Sequence, residues 1–181
     1  MKKYEFTGET KEIRLLFRTA TLHRIRATVA FGIVEVGDLG GWIEKEENLS
    51  HEGKVWGNAE VWGNAEVCGD AEVWGNAKVC GDAKVCGDAE VWGNAEVFSA
   101  SHVLVIGAIG SRNDFTTFYR DKDNEITVKC GCFLGKIDRF LEKVTQTHGD
   151  SKYALVYRAA VEVAKLQIDL SGEAPKDADE E

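Results

Sequence analysis

Val55-Trp-Gly-Asn-Ala-Glu60-Val-Trp-Gly-Asn-Ala-Glu66-Val-Cys-Gly-Asp-Ala-Glu72 holds three copies of one hexad, Val-x-Gly-(Asn/Asp)-Ala-(Glu/Lys). The hexad starts at Val55 and recurs unbroken at Val61, Val67, Val73, Val79, Val85 and Val91. Val97 and Val103 keep its phase, although Gly-Asn gives way to Ser99-Ala100. Upstream, Leu49 and Ile43 also fall in phase, so the repeat is expected to begin near Gly40. Within Ala-Glu-Val-Trp the residues alternate across a short strand, Ala and Val one way and Glu and Trp the other. Gly-Asn or Gly-Asp then turns the chain, because both residues tolerate positive φ. Three such sides close a triangular coil, and coils stack in parallel about 4.8 Å apart. A meander of tiny hairpins would bury only one Ala and one Val per strand, too little to offset the ordering entropy. The expected architecture is therefore mainly β: a parallel β-helix with three hexads per coil.

Stacking makes neighbours of residues one coil apart. Trp56, Trp74 and Trp92 form one outward ladder, Trp62, Cys80 and Phe98 a second, and Cys68 and Cys86 a third. Glu60–Lys78–Glu96 alternates in sign, Glu66 faces Lys84, and Lys54–Glu72–Glu90 is paired once and repulsive once. Tryptophan facing water needs cover. Three sources are open: another part of this chain, first of all the C-terminal helices; a second copy, with Trp56, Trp74, Trp92, Trp62 and Phe98 as interface candidates; or a stacked sugar or base.

The flanks read differently. Residues 1–39 are expected as short strands, with Ile13, Leu15 and Phe17 alternating against Arg14, Leu16 and Arg18. Residues 40–102 carry the β-helix. Residues 103–170 are expected to form an α+β cap: a strand at Val103–Ile106, a hairpin of Phe115–Arg120 and Ile126–Cys130, and a helix over about 137–147. A second helix follows, capped by Asp150 or Ser151, with Tyr153, Val156, Tyr157, Ala160 and Ala164 as its buried stripe. Residues 171–181 are acidic and expected to be a disordered tail.

Composition narrows the function. The net charge of −9 argues against nucleic-acid binding through a basic surface. Met1-Lys-Lys-Tyr-Glu has no apolar stretch after its lysines, so neither a secretory leader nor membrane attachment is expected, and the expected compartment is the cytoplasm. In that compartment Cys68, Cys80, Cys86, Cys130 and Cys132 are expected as free thiols.

His51 and His102 stand at opposite ends of the hexads, and the hexads contain no histidine. A general base needs hydrogen-bond reach to its nucleophile, so acyl transfer would need a site between subunits. His23, His51, His102 and His148 are scattered, and Cys130-Gly-Cys132 lacks zinc-site spacing. No metal or cofactor is expected. Gly107-Ala-Ile-Gly-Ser-Arg-Asn113 joins a strand to the next element; its glycines let backbone amides face an anion, and Arg112 adds a bidentate donor. Ser111, Arg112, Asn113, Thr116, Thr117, Tyr119 and His148 are the ligand-binding candidates.

Two resemblances follow from these residues. The hexad is similar to the hexapeptide repeat, and this resemblance implies a left-handed coil, against the usual crossover rule. It also implies the acyltransferase alternative. Gly37-Asp-Leu-Gly-Gly-Trp-Ile-Glu44, Asn48-Leu-Ser50, the hexads, Ile106-Gly-Ala-Ile-Gly-Ser-Arg112, Cys130-Gly-Cys-Phe133 and Thr147-His-Gly-Asp150 resemble, in this order, phage and prophage proteins with an N-terminal lead, a hexapeptide β-helix and a C-terminal cap. The resemblance spans about 12–168. Trp and Cys stand at outward positions where those proteins more often carry Tyr or Ser. Those proteins have no settled activity, so the resemblance supplies a phage context, that of small, acidic, oligomeric accessory proteins in the host cytoplasm. A non-enzymatic, homo-oligomeric binding protein is the expectation. Two modes of countering host defence remain open: occluding a host protein, or sequestering an anionic signalling nucleotide through the cap.

Overall fold

The computed structural model describes residues 2–173, and residues 174–181 of the expected acidic tail lie outside it. The chain opens with β1 (Tyr4–Leu15), β2 (Arg18–Ala27) and β3 (Leu39–Ile43). Two-residue strands follow once per hexad: β4 (Lys54–Val55), β5 (Glu60–Val61), β6 (Glu66–Val67), β7 (Glu72–Val73), β8 (Lys78–Val79), β9 (Lys84–Val85), β10 (Glu90–Val91) and β11 (Glu96–Val97). Strands one coil apart pair in parallel, giving sheets β3-β5-β8-β11, β4-β7-β10 and β6-β9. The result is a parallel β-solenoid of about three turns.

Its interior is the predicted column. Val55, Val73, Val91 and Val61, Val79 are 0% exposed, as are Ala59, Ala71, Ala77, Ala83 and Ala89. Between coils, Glu60 N donates to Ala77 O at 2.9 Å and Trp74 N to Val91 O at 3.0 Å. The corner glycines Gly57 to Gly93 all have φ between 61° and 81°. Space also demands glycine: a Cβ on Gly69 would lie 2.9 Å from Gly87 N. The ladders bond as well, with Lys54 on Glu72 at 2.7 Å and Asn64 Nδ2 on Asp82 Oδ1 at 3.1 Å. One expectation is corrected here. Cys68 and Cys86 are joined by a disulfide, because stacking brings their Cα atoms to 4.5 Å; Cys80, Cys130 and Cys132 are free.

The first coil is closed by the N-terminal hairpin. The expected short strands are one long pair, β1 with β2, and β2 runs antiparallel to β3, continuing the solenoid sheet. A register shift between Phe6 and Thr10 divides the hairpin's work. On one side of it, Tyr4, Ile25 and Ala27 plug the coil interior. On the other, Ile13 and Leu22 pack with Trp42, Trp62 and Cys80 on the outer face. Phe17, expected in one alternating strand with Ile13 and Leu15, is 94% exposed, because it occupies the turn beside Leu16.

The cap comprises β12 (Val103–Ile109), β13 (Asp114–Arg120), β14 (Ile126–Cys130), β15 (Phe133–Lys136), α1 (Ile137–His148) and α2 (Lys152–Gln167). The strands form an antiparallel sheet in chain order. Phe118, Val128, Phe140, Val144, Tyr157 and Val161 share the core between sheet and helices. The opposite side of β13 meets the last coil. Glu90 N donates to Thr117 Oγ1 at 3.0 Å, and Trp92 N to Tyr119 Oη at 3.2 Å. Tyr119 Oη in turn donates to Trp92 O at 2.9 Å. In the body of the rod these amides would bond to the next coil's carbonyls. Two side chains of β13 replace that missing coil, satisfying buried groups that would otherwise be costly. The stripe of α2 differs from expectation: Ala154, Tyr157, Ala160, Val161 and Ala164 are buried, while Val156 is 40% exposed. Ser151 stands at the N-cap position, but its side chain makes no capping bond.

Candidate functional site

The sheet's two tight turns lie side by side at one end. The β12–β13 turn has Gly110 at φ 73° and Asn113 at φ 56°; the β14–β15 turn has Gly131 at φ 55°. A Cβ built on Gly131 would sit 3.3 Å from Arg112 Nη1. One on Gly110 would fall on the Tyr157 hydroxyl, so glycine there admits the α2 side chain. The C-terminal turns of α1 close the opposite wall.

Between them lies a cleft of about 300 Å³. Its floor is apolar, from Phe133, Phe140 and Val144. The rings run in contact: Phe133 to Phe140 at 5.2 Å, Phe140 to Tyr157 at 5.5 Å, Tyr157 to His148 at 5.7 Å. The rim is polar, with the cations Arg112 and Lys143 beside His148, Ser111 and Thr147; Asp114 is the one acidic side chain of the lining. Burial first, then neighbouring Cys130, pushes the Tyr157 phenol up to about 12, so it remains a neutral O–H donor near pH 7. Thr116 Oγ1 donates to Cys130 Sγ at 3.2 Å, and that sulfur lies 4.0 Å from the Tyr157 hydroxyl. The arrangement can hold an anion at its rim and a flat apolar group on its floor.

The sequence candidates divide. Ser111, Arg112 and His148 meet in the cleft, and Asn113 shapes its turn. Thr116 sits behind Cys130. Thr117 and Tyr119 point the other way, onto the solenoid end, because neighbouring residues of a strand alternate. Lys143, Thr147, Phe133, Phe140 and Tyr157 were not among the candidates. Only the packing of α1 and α2 on the sheet brings them to Arg112.

Trp56 and Trp62 are covered by their own chain, though not by the helices, and Trp74 and Trp92 are half-buried. Trp56 is 4% exposed beneath Phe31, whose ring is 5.1 Å away, and Trp62 lies under the hairpin. Trp74 meets Trp92 at 6.0 Å, and Lys129 lies 4.2 Å over Trp92 while pairing with Glu90. Phe98 is half-buried against His102 and Arg120. His102 is itself 2% exposed and accepts from Phe98 N at 3.3 Å, whereas His51 is exposed at the far end. Among the described residues, no group of three or more His, Cys, Asp or Glu could hold a metal ion, and no helix is long and apolar enough to cross a membrane. In comparison with known proteins, the chain matches no protein-family model and no curated protein, so its function is read from the geometry.

Proposed function

We propose that this is a non-enzymatic binding protein that uses its cap cleft to hold a small organic anion of the nucleotide class. We take the solenoid as left-handed, following the hexad's likeness, and its role as a rigid mount. One observation carries the reading: Arg112, Lys143 and His148 converge on an aromatic-floored cleft, in a chain of net charge −9. A chain that acidic repels anions overall, so local cations must draw the ligand in. Arg112 would grip a phosphate, with Tyr157 and Ser111 as neutral donors, while a base lies against Phe133 and Phe140. In a phage-encoded protein, such binding would withdraw a signalling nucleotide from the host.

The test is calorimetric titration with nucleoside monophosphates, cyclic dinucleotides and inorganic phosphate, beside native mass spectrometry of the purified chain. Binding of at least one nucleotide is expected, weakened roughly tenfold or more in Arg112→Ala. Phosphate alone should bind far more weakly, since it leaves the floor empty. No binding across the panel, or binding untouched by Arg112→Ala, would overturn the proposal.

A second reading, docking on a host protein, is favoured by the hairpin turn. Leu16 and Phe17 are 80% and 94% exposed where Gly or Asn is usual. They form an apolar prong flanked by Arg14 and Arg18. Replacing both with Ser should abolish a stable host-protein complex and leave nucleotide binding unchanged; a complex that survives the change excludes this surface.

A further inference from the structure

The two cap helices share one sheet and differ on their outer faces. α1 turns Asp138, Arg139, Glu142, Lys143 and Gln146 outward, as a surface helix should. α2 carries a second apolar stripe opposite its buried one. Leu155, Val156, Val163 and Leu166 are 59%, 40%, 48% and 90% exposed, with exposed Ala159 among them. At 3.6 residues per turn these five side chains fall within about 100° of arc. A helix apolar on two faces belongs between two layers, and the described residues supply one.

We propose that the outer face of α2 pairs with the same face of a second copy, antiparallel, about a two-fold axis level with Ala160 and Val161. Leu155 of each copy then meets Leu166 of the other, and small Ala159 lets the helices approach near the axis. Charge selects this direction. Lys152 begins the helix and Asp169 follows its end, both exposed and both equally far from the axis in sequence. Antiparallel pairing sets each Lys152 beside the other copy's Asp169 and its negative helix terminus, in the self-complementary manner of a two-fold interface. Parallel pairing would oppose like charges at both ends. Near the axis, Glu162 pairs within its own chain with Lys165 at 2.9 Å. The stripe is one helix wide, less than the roughly 800 Å² per partner of a standard interface. Association is therefore reversible and concentration-dependent.

Sedimentation equilibrium of the full chain tests this. The wild type should pass from monomer to dimer with concentration. Leu166→Glu, at an exposed site, should weaken association roughly tenfold or more with an unchanged circular dichroism spectrum. Lys152→Glu and Asp169→Lys should each weaken it, and the double variant should recover it, since the swap recreates the opposite-charge pair only if the helices are antiparallel. A monomer at all concentrations overturns the proposal. So does a dimer indifferent to Leu166→Glu, or a double variant no better than its parents. Nucleotide titration of Leu166→Glu keeps the cleft reading separate.

Discussion

The two ends of the solenoid are closed by different devices. At the first coil, β2 adds a real strand, so backbone meets backbone along β3. Side chains finish the job: Tyr4 Oη donates to Leu49 O at 3.0 Å, and wholly buried Asn48 sends its amide to Ala65 O at 2.8 Å. At the last coil, β10 ends in air without the cap, and Thr117 and Tyr119 stand in for carbonyls. A strand tolerates substitution because its bonds belong to the main chain. The last coil keeps a main-chain bond to the cap, from Lys122 N to Asn94 O at 3.0 Å, and the part of its closure made of side chains does not share that tolerance.

That contrast can be broken in order of effect. Tyr119→Ala removes a fully buried ring from the core beneath the last coil along with two ladder bonds; urea unfolding should show a loss of about 3–5 kcal/mol. Thr117→Val leaves the Glu90 amide without its acceptor and should cost about 1–3 kcal/mol by the same measurement. Tyr4→Phe, at the strand-closed end, loses one donor and should cost about 1 kcal/mol. Equal losses from Tyr4→Phe and Thr117→Val would erase the distinction. The smallest effect is one of pH. Burial, then nearby Arg120, holds the His102 imidazole below its ordinary 6.5. The unfolded chain therefore takes up this proton first as pH falls. Stability is full above about 6.5 and declines from there toward the folded value. In His102→Gln that share of the decline should vanish from thermal melts taken across the window.

The sequence made the rod readable because a fixed period leaves one way to bury Val and Ala together. The β13–β14 hairpin and both helices were readable from local alternation and from the break at Gly149. The N-terminal hairpin was not, because its faces exchange roles at the register shift near Gly8. Arg112 and His148 showed themselves as polar residues at element ends. Tyr157 did not, since an aromatic in a helical stripe reads as core; it is both core and cleft wall. The disulfide was hidden by the expectation of a reducing compartment, although the spacing of Cys68 and Cys86 already stacked them. Val156 was placed inward because α2 has two apolar stripes and only packing tells them apart.

Closure of the last coil by β13 has a consequence for how such a chain changes length. Thr117 and Tyr119 read two backbone amides and one carbonyl, and every coil offers the same set on that face. Duplication of one whole coil, inserted ahead of Val91, would return both amides to the cap in unchanged orientation. Insertion of a single hexad would instead rotate the cap by one side of the triangle and bring it against the wrong face. Growth by whole turns alone makes the rod a ruler with fixed graduations, able to set how far the cleft stands from the hairpin prong without redesigning either.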